Sequence, residues 1–194
     1  MGITFLPHIS SRKEMLDYLK QDYCNDGEFE LLDSSARGNT LYTLNLHPDG
    51  FRFIGVFLLY SPGRNSNDGW GYKAMGEESE PYYFDCPERI LSKSECKTPG
   101  AVRWREECRR RRREKAIRKE WVKTLRRGDR VHLLRGHRFN PETRDSEPVY
   151  REVRFLGSFS ATFFLGCFAD DVTGQRYRMR LDELKLPDEL KEAA

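Results

Sequence analysis

The sequence predicts an α+β protein: an N-terminal antiparallel sheet with a helix, a long basic helix, and a C-terminal small β-barrel of SH3-like kind. Three observations carry that expectation. Residues 101–127 read AVRWREECRRRRREKAIRKEWVKTLRR, with thirteen Lys or Arg against four Glu, a local charge of +9 in a chain whose net charge is +3. Ahead of them, one amphipathic helical stretch precedes apolar segments in period-2 alternation, broken by Pro and Gly. Behind them, from Gly128 on, four short alternating segments recur with turn signals between them. The expected division is an α+β domain over 1–100, a connecting helix over 101–127, and a small barrel with a polar tail over 128–194.

In chain order, residues 3–6 suit a short strand. Ser11-Arg12-Lys13-Glu14 has the spacing of a capping box, in which the hydroxyl and the carboxylate satisfy amides at the helix start. Met15, Leu16, Leu19 and Tyr23 then share one helical face, and Asn25-Asp26-Gly27 stops the helix. Residues 29–32, 40–46 and 51–60 read as strands. Tyr42, Leu44 and Leu46 alternate with Thr43 and Asn45, so one face of that strand belongs to the core. His47-Pro48-Asp49-Gly50 is a hairpin turn. Residues 51–60 are almost wholly apolar, as expected of a central strand covered on both faces.

Residues 61–69 are loop by composition, and the text that follows is unusual: Trp70-Gly71-Tyr72-Lys73-Ala74-Met75-Gly76-Glu77, then Pro81-Tyr82-Tyr83-Phe84-Asp85-Cys86-Pro87. The stretch is expected to be an irregular loop. Its aromatic residues cap the sheet, or Trp70, Tyr72, Lys73, Tyr82 and Tyr83 present a partner-binding surface. Pro87 opens a short helix, with proline at its first turn.

In the basic segment, Trp104 and Cys108 lie four apart, as do Ile117, Trp121 and Leu125, which puts two apolar patches on helical faces. Between them, residues 109–115 include no apolar side chain. Glu106–Arg110, Glu107–Arg111 and Glu114–Arg118 are i,i+4 pairs, each worth about 0.2–0.5 kcal/mol, so a solvated helix held by its own charges is one reading. The run Arg109, Arg110, Arg111, Arg112 and Arg113 exceeds what three pairs neutralise, which favours contact with a nucleic acid or an acidic partner. After the Gly128-Asp129 turn, residues 130–134, 149–156, 161–168 and 175–181 read as strands, and residues 170–174 as a hairpin turn. Tyr177, Met179 and Leu181 alternate with Arg176, Arg178 and Arg180, whose guanidinium groups then stand about 7 Å apart on one face. They either protect an edge strand or form a second anion-facing stripe.

The motif residues Trp70-Gly71-Tyr72-Lys73, Met75, Glu77, Pro81-Tyr82-Tyr83, Asp85-Cys86-Pro87 and Ile90-Leu91 resemble a family of uncharacterised proteins from phages and other mobile elements. Its members read W/F-G-Y-K-D-M-D-E, then P-Y-Y-x-D-C-P, an Arg-rich W-R-x-x-C helix, and a small barrel entered by K-x-G-D-x-V. Trp104-Arg105, Cys108, Gly128-Asp129 and Val131 match the later pieces. Ala74 and Gly76 stand where the usual pattern has acidic residues, which counts against a metal or acid–base role there. The resemblance implies a setting, a phage or prophage genome, and no activity.

Charged residues make up 34% of the chain and aromatic ones 12%, which excludes a disordered polymer. The longest apolar run, 54–60, is far too short to span a bilayer, and the N-terminus has no signal-peptide pattern. A cytoplasmic location, in a bacterial host cell, is expected. The five cysteines form no C-x-x-C pair and the four histidines are scattered, so free thiols and no metal or cofactor are expected. The expected function is that of a non-enzymatic phage or mobile-element accessory protein acting on a nucleic-acid process, such as inhibition of a host defence system. Its partner would be DNA or RNA, or an acidic host protein of a nucleic-acid-handling complex. Two alternatives stand beside it: a stand-alone DNA- or RNA-binding protein, and an enzyme built on Glu77, Asp85 and Cys86.

Overall fold

Ser11 starts the first helix as its spacing with Glu14 requires. The computed structural model, which describes residues 2–25, 28–63, 69–141, 146–160 and 165–191, places β1 at Thr4–Leu6 and α1 at Arg12–Tyr18. The Ser11 hydroxyl accepts the Glu14 amide at 3.2 Å, while the Glu14 carboxylate accepts from the Ser10 amide, one residue earlier than a standard box. Leu19–Tyr23 continues the helix as a π-helical turn. Met15, Leu19 and Cys24 are fully buried against the sheet.

That sheet is antiparallel, with the order β1-β5-β4-β3-β2. It comprises β2 (Glu30–Arg37), β3 (Thr40–Leu46), β4 (Arg52–Tyr60) and β5 (Trp70–Gly76). The apolar strand β4 is central, as its composition predicts. One sheet face carries Leu41, Phe57, Leu59 and Tyr72 beneath α1. The other carries Tyr42, Leu44, Ile54 and Val56 beneath α2 (Glu88–Leu91) and the first part of α3 (Pro99–Thr124).

One expectation is corrected here. Residues 70–76 are a strand paired on both sides, not an irregular loop. Their glycines suggest a loop, yet they serve packing. Gly71 lies opposite Phe5, and a Cβ there would come within 2.7 Å of the Phe5 ring. Gly69, at φ +68°, makes the turn into the strand.

The basic helix begins at Pro99, two residues earlier than the composition shift. Thr98 Oγ1 accepts the Ala101 amide at 3.3 Å, and proline takes the first helical position, where no amide is needed. No helix of the described residues is long and apolar enough to cross a membrane.

The chain divides into two compact units, Met1–Arg111 and Arg112–Ala194. The second contains the antiparallel sheet β6 (Arg130–Phe139), β7 (Ser146–Ser160), β8 (Leu165–Ala169) and β9 (Arg176–Arg180), in that order. Its core joins Val131, Leu133, Val153, Phe155 and Phe168 to Leu181, Leu184 and Val122 of α3, with Trp121 of α3 and Leu125 just beyond the helix packed on it. Leu184 bridges to Leu133, and the Lys185 amide donates to the His132 carbonyl at 2.8 Å, so the segment after β9 returns to β6. The expected hairpin at 170–174 is present. Asp170 accepts the Val172 and Thr173 amides at 2.9 and 3.1 Å and pairs with Arg151. Residues 26–27 of the expected helix stop, 64–68 of the loop and 161–164 of the third expected barrel strand lie outside the described residues, as does the tail from 192.

Candidate functional site

The motif that links the aromatic stretch to the basic helix closes on itself inside the first unit. Ala101, Trp104, Arg105 and Cys108 share one face of α3 by helical spacing, and the four lie against the sheet or the residues that follow it. Trp104 is buried, and its indole Nε1 donates to the carbonyls of Pro81 and Tyr83 at 2.8 and 3.1 Å. Arg105 pairs with Glu77, whose side chain is 0% exposed. Glu77 also accepts from the Ile54 amide at 3.0 Å and from the Ser94 hydroxyl. Arg105 in turn donates to Ser94 Oγ and to the Cys96 carbonyl at 2.8 and 2.6 Å. Burial pushes the Glu77 carboxyl above the usual carboxylate range, against the pull of Ser94, the Ile54 amide and Arg105.

A second buried bond lies in the same core. Tyr42 is fully buried and donates its hydroxyl to Asp85. Burial, with the Asp85 carboxylate adding to it, raises the Tyr42 phenol far above its ordinary value. Cys86 and Cys108 are fully buried in this cluster. Glu77, Asp85 and Cys86 thus tie the motif to the sheet and helix, and neither Glu77 nor Cys86 presents its side chain to solvent. Among the described residues, no three His, Cys, Asp or Glu side chains converge as a metal site would need.

The five residues expected on a partner-binding loop separate. Trp70 and Tyr72 pack into the cluster beneath α1, and Tyr83 packs against the one beneath α3. Lys73 is half-buried on β5. Tyr82 stands 89% exposed.

The arginine run is partly neutralised by the fold. Arg109 pairs with Glu88 at 3.0 Å. Arg110 donates twice to Glu107, and Arg111 donates to the same carboxylate, all at 2.7 Å. The Arg111 guanidinium also lies over the Phe84 ring, 3.9 Å from its centre. Glu107 is therefore a partner of Arg110 as well as of Arg111. Hydrogen bonds from Arg110 and Arg111 lower the Glu107 pKa to about 2, with burial opposing. Arg112 and Arg113 lie in the second unit, on α3, and both also make interactions.

A more open set of cations lies on the second unit's sheet. Arg176, Arg178 and Arg180 are exposed on β9 while Tyr177 and Met179 turn inward, as the alternation predicts. Register extends the set across the sheet: Arg176 lies opposite Ala169, Ala169 opposite Arg154, and Arg154 opposite Arg130. Arg130 pairs with Glu152 at 2.6 Å and Arg154 with Asp171 at 2.8 Å. Among the described residues, five arginines and two carboxylates share that face, and Arg178 and Arg180 make further interactions. Arg130 and Arg154 were not among the sequence candidates, because cross-strand register is invisible in a one-dimensional pattern.

Arg105 was missed for a different reason. It is one of thirteen cations in its segment, and only its shared face with Trp104 and Cys108 marks it as inward-facing. Compared with protein-family models, with curated proteins and with solved structures, the chain matches none.

Proposed function

We propose that the protein is a non-enzymatic binder acting on a nucleic-acid process, with the arginine face of the C-terminal sheet as its contact surface. The observation that supports this reading is the row Arg130, Arg154 and Arg176, extended along β9 by Arg178 and Arg180. Arg130 and Arg154 sit on adjacent strands about 5 Å apart, Arg176 lies two strands beyond Arg154, and alternate positions of β9 are about 7 Å apart. Such a sheet face suits the phosphates of a nucleic-acid backbone. Arginine is also the side chain best shaped to bind phosphate through two hydrogen bonds. The resemblance to phage and mobile-element proteins supplies the setting, in which such a binder blocks a host defence complex that handles DNA or RNA, within the host cytoplasm. The four-stranded antiparallel sheet, with Leu184 returning to bridge Leu133, fits the same reading.

The test is filter binding of the full chain to duplex DNA, single-stranded DNA and RNA across a salt series. Affinity that falls linearly on a logarithmic plot, and is abolished in Arg176→Glu/Arg178→Glu/Arg180→Glu, supports the reading. No retention of any of the three at low salt removes it. A second reading rests on Tyr82. Its segment is held by Trp104, so an exposed ring on a rigid base is suited to anchor a protein partner. Under that reading Tyr82→Ala weakens capture of an acidic host protein, and the triple charge reversal leaves capture intact.

A further inference from the structure

The α1-side face of the first sheet has an end that the helix leaves open. There, a depression of about 490 Å³ opens on the sheet surface, within the size range of small-molecule sites. Its floor is unusual for a sheet centre. Gly55 of β4 and Gly76 of β5 are register partners, so two adjacent strands present bare backbone at one point. Gly55 is required by what lies beside it: a Cβ there would come within 2.6 Å of Thr43 Oγ1 and 3.1 Å of Asn45 Nδ2.

Thr43 and Asn45 are the second feature. Both are buried on a face that is otherwise apolar. The Asn45 amide nitrogen donates to Thr43 Oγ1 at 3.0 Å, and Thr43 Oγ1 lies 3.4 Å from the Gly55 carbonyl. Asn45 Oδ1 is buried with no donor among the described residues. A buried acceptor left unsatisfied is costly, and a bound donor would relieve it.

The walls are aromatic. Phe29 meets Phe53 edge-to-face at 5.5 Å, and Tyr23 meets both Phe57 and Tyr72 edge-to-face at 5.3 and 5.5 Å. At the rim, the carboxylate of exposed Glu78 lies over Gly76, in the space a Cβ would occupy. No cation among the described residues pairs with it.

Aromatic walls, a glycine floor, a buried amide oxygen and a rim carboxylate describe a ligand that is flat, apolar on its faces and rich in N–H donors at its edges. We propose that this depression binds a purine base carrying an exocyclic amine, with one ring N–H or amino group donating to Asn45 Oδ1 and the amine edge meeting Glu78. The inference concerns the first unit alone and does not rest on the arginine face of the second.

Saturation-transfer NMR titrations of the full chain with guanosine, adenosine, inosine and tetramethylammonium test it. Guanosine or adenosine saturates the signal, and inosine, which lacks the exocyclic amine, binds about tenfold more weakly, as the loss of one hydrogen bond predicts. Asn45→Leu, of similar volume, abolishes binding while circular dichroism shows an intact fold. Glu78→Gln, an exposed change that leaves the core untouched, narrows the gap between the amine-bearing nucleosides and inosine. Flat titrations with both guanosine and adenosine into the millimolar range overturn the proposal. So do nucleoside affinities unchanged in Glu78→Gln, or a tetramethylammonium signal with silent nucleosides, which would mark a cation cage instead.

Discussion

Glu77 and Glu107 are two carboxylates of one unit whose titration runs in opposite directions. Glu77 is buried, and its raised pKa means that the folded state holds the proton more tightly than the unfolded chain. Its contribution is greatest below the ordinary carboxylate pKa and is lost as pH rises through the raised value. Glu107 has its pKa lowered to about 2, so its contribution is present above about pH 4.5 and is lost as pH falls toward 2. Glu107→Gln is therefore expected to flatten the decline in stability between about pH 4.5 and 2, read from urea midpoints at each pH. A pH dependence parallel to the wild type would refute that assignment. At neutral pH, Glu77→Gln leaves Arg105, 11% exposed, without its charge partner. Breaking such a pair from one side costs about 3–5 kcal/mol. Glu77→Gln/Arg105→Gln should lose less than the sum of the two single changes, by about 0.5–3 kcal/mol of coupling. Strict additivity in urea denaturation would show that the two groups act separately.

At the scale of elements, α3 does different work along its length. Its first turns are inserted in the core through Trp104 and Cys108, and its last turns pack on the second sheet through Val122. Trp104→Phe keeps an aromatic ring but removes the donor shared by the Pro81 and Tyr83 carbonyls. A loss of about 1–3 kcal/mol is expected, together with faster amide exchange in the segment that carries Tyr82. Unchanged exchange there would mean that the indole N–H does not hold the segment. Arg110→Glu/Arg111→Glu is not a neutral surface change, because it sets two new carboxylates beside Glu107. A thermal midpoint lower than the wild type is expected of it, whereas Arg176→Glu/Arg178→Glu/Arg180→Glu changes only exposed positions of β9 and leaves the midpoint close to wild type.

For the whole molecule, net charge is a poor guide to where an anion would be met. The chain is only +3, and much of the basic helix is committed to Glu77, Glu88 and Glu107 within the fold. On the five-arginine sheet face Arg130 pairs with Glu152 and Arg154 with Asp171, and Arg178 and Arg180 also make interactions. If it tracks duplex DNA with five phosphate contacts, the slope of log affinity against log salt is about −4.5. Arg176→Ala/Arg178→Ala/Arg180→Ala should make that slope shallower by about 3. Binding weakened with the slope unchanged would place the contacted phosphates elsewhere.

Local periodicity determined most of the elements. The Ser11 cap, the alternation in β3 and β9, the apolar run of β4, the helix of residues 99–124 and the Asp170 turn all depend on neighbours within a few positions. Their physical causes, helical spacing and strand alternation, are present in a short window of sequence. Tertiary structure decided the rest, because the deciding partners are distant. Residues 70–76 became a strand only because β1 and β4 supply hydrogen bonds on both sides and Phe5 needs the space above Gly71. Arg105 found its carboxylate 28 positions away and Arg109 found one 21 away. The arginine row of the second sheet exists only through cross-strand register. A charge run can be counted from sequence, but which of its charges remain available is set by pairing across the fold.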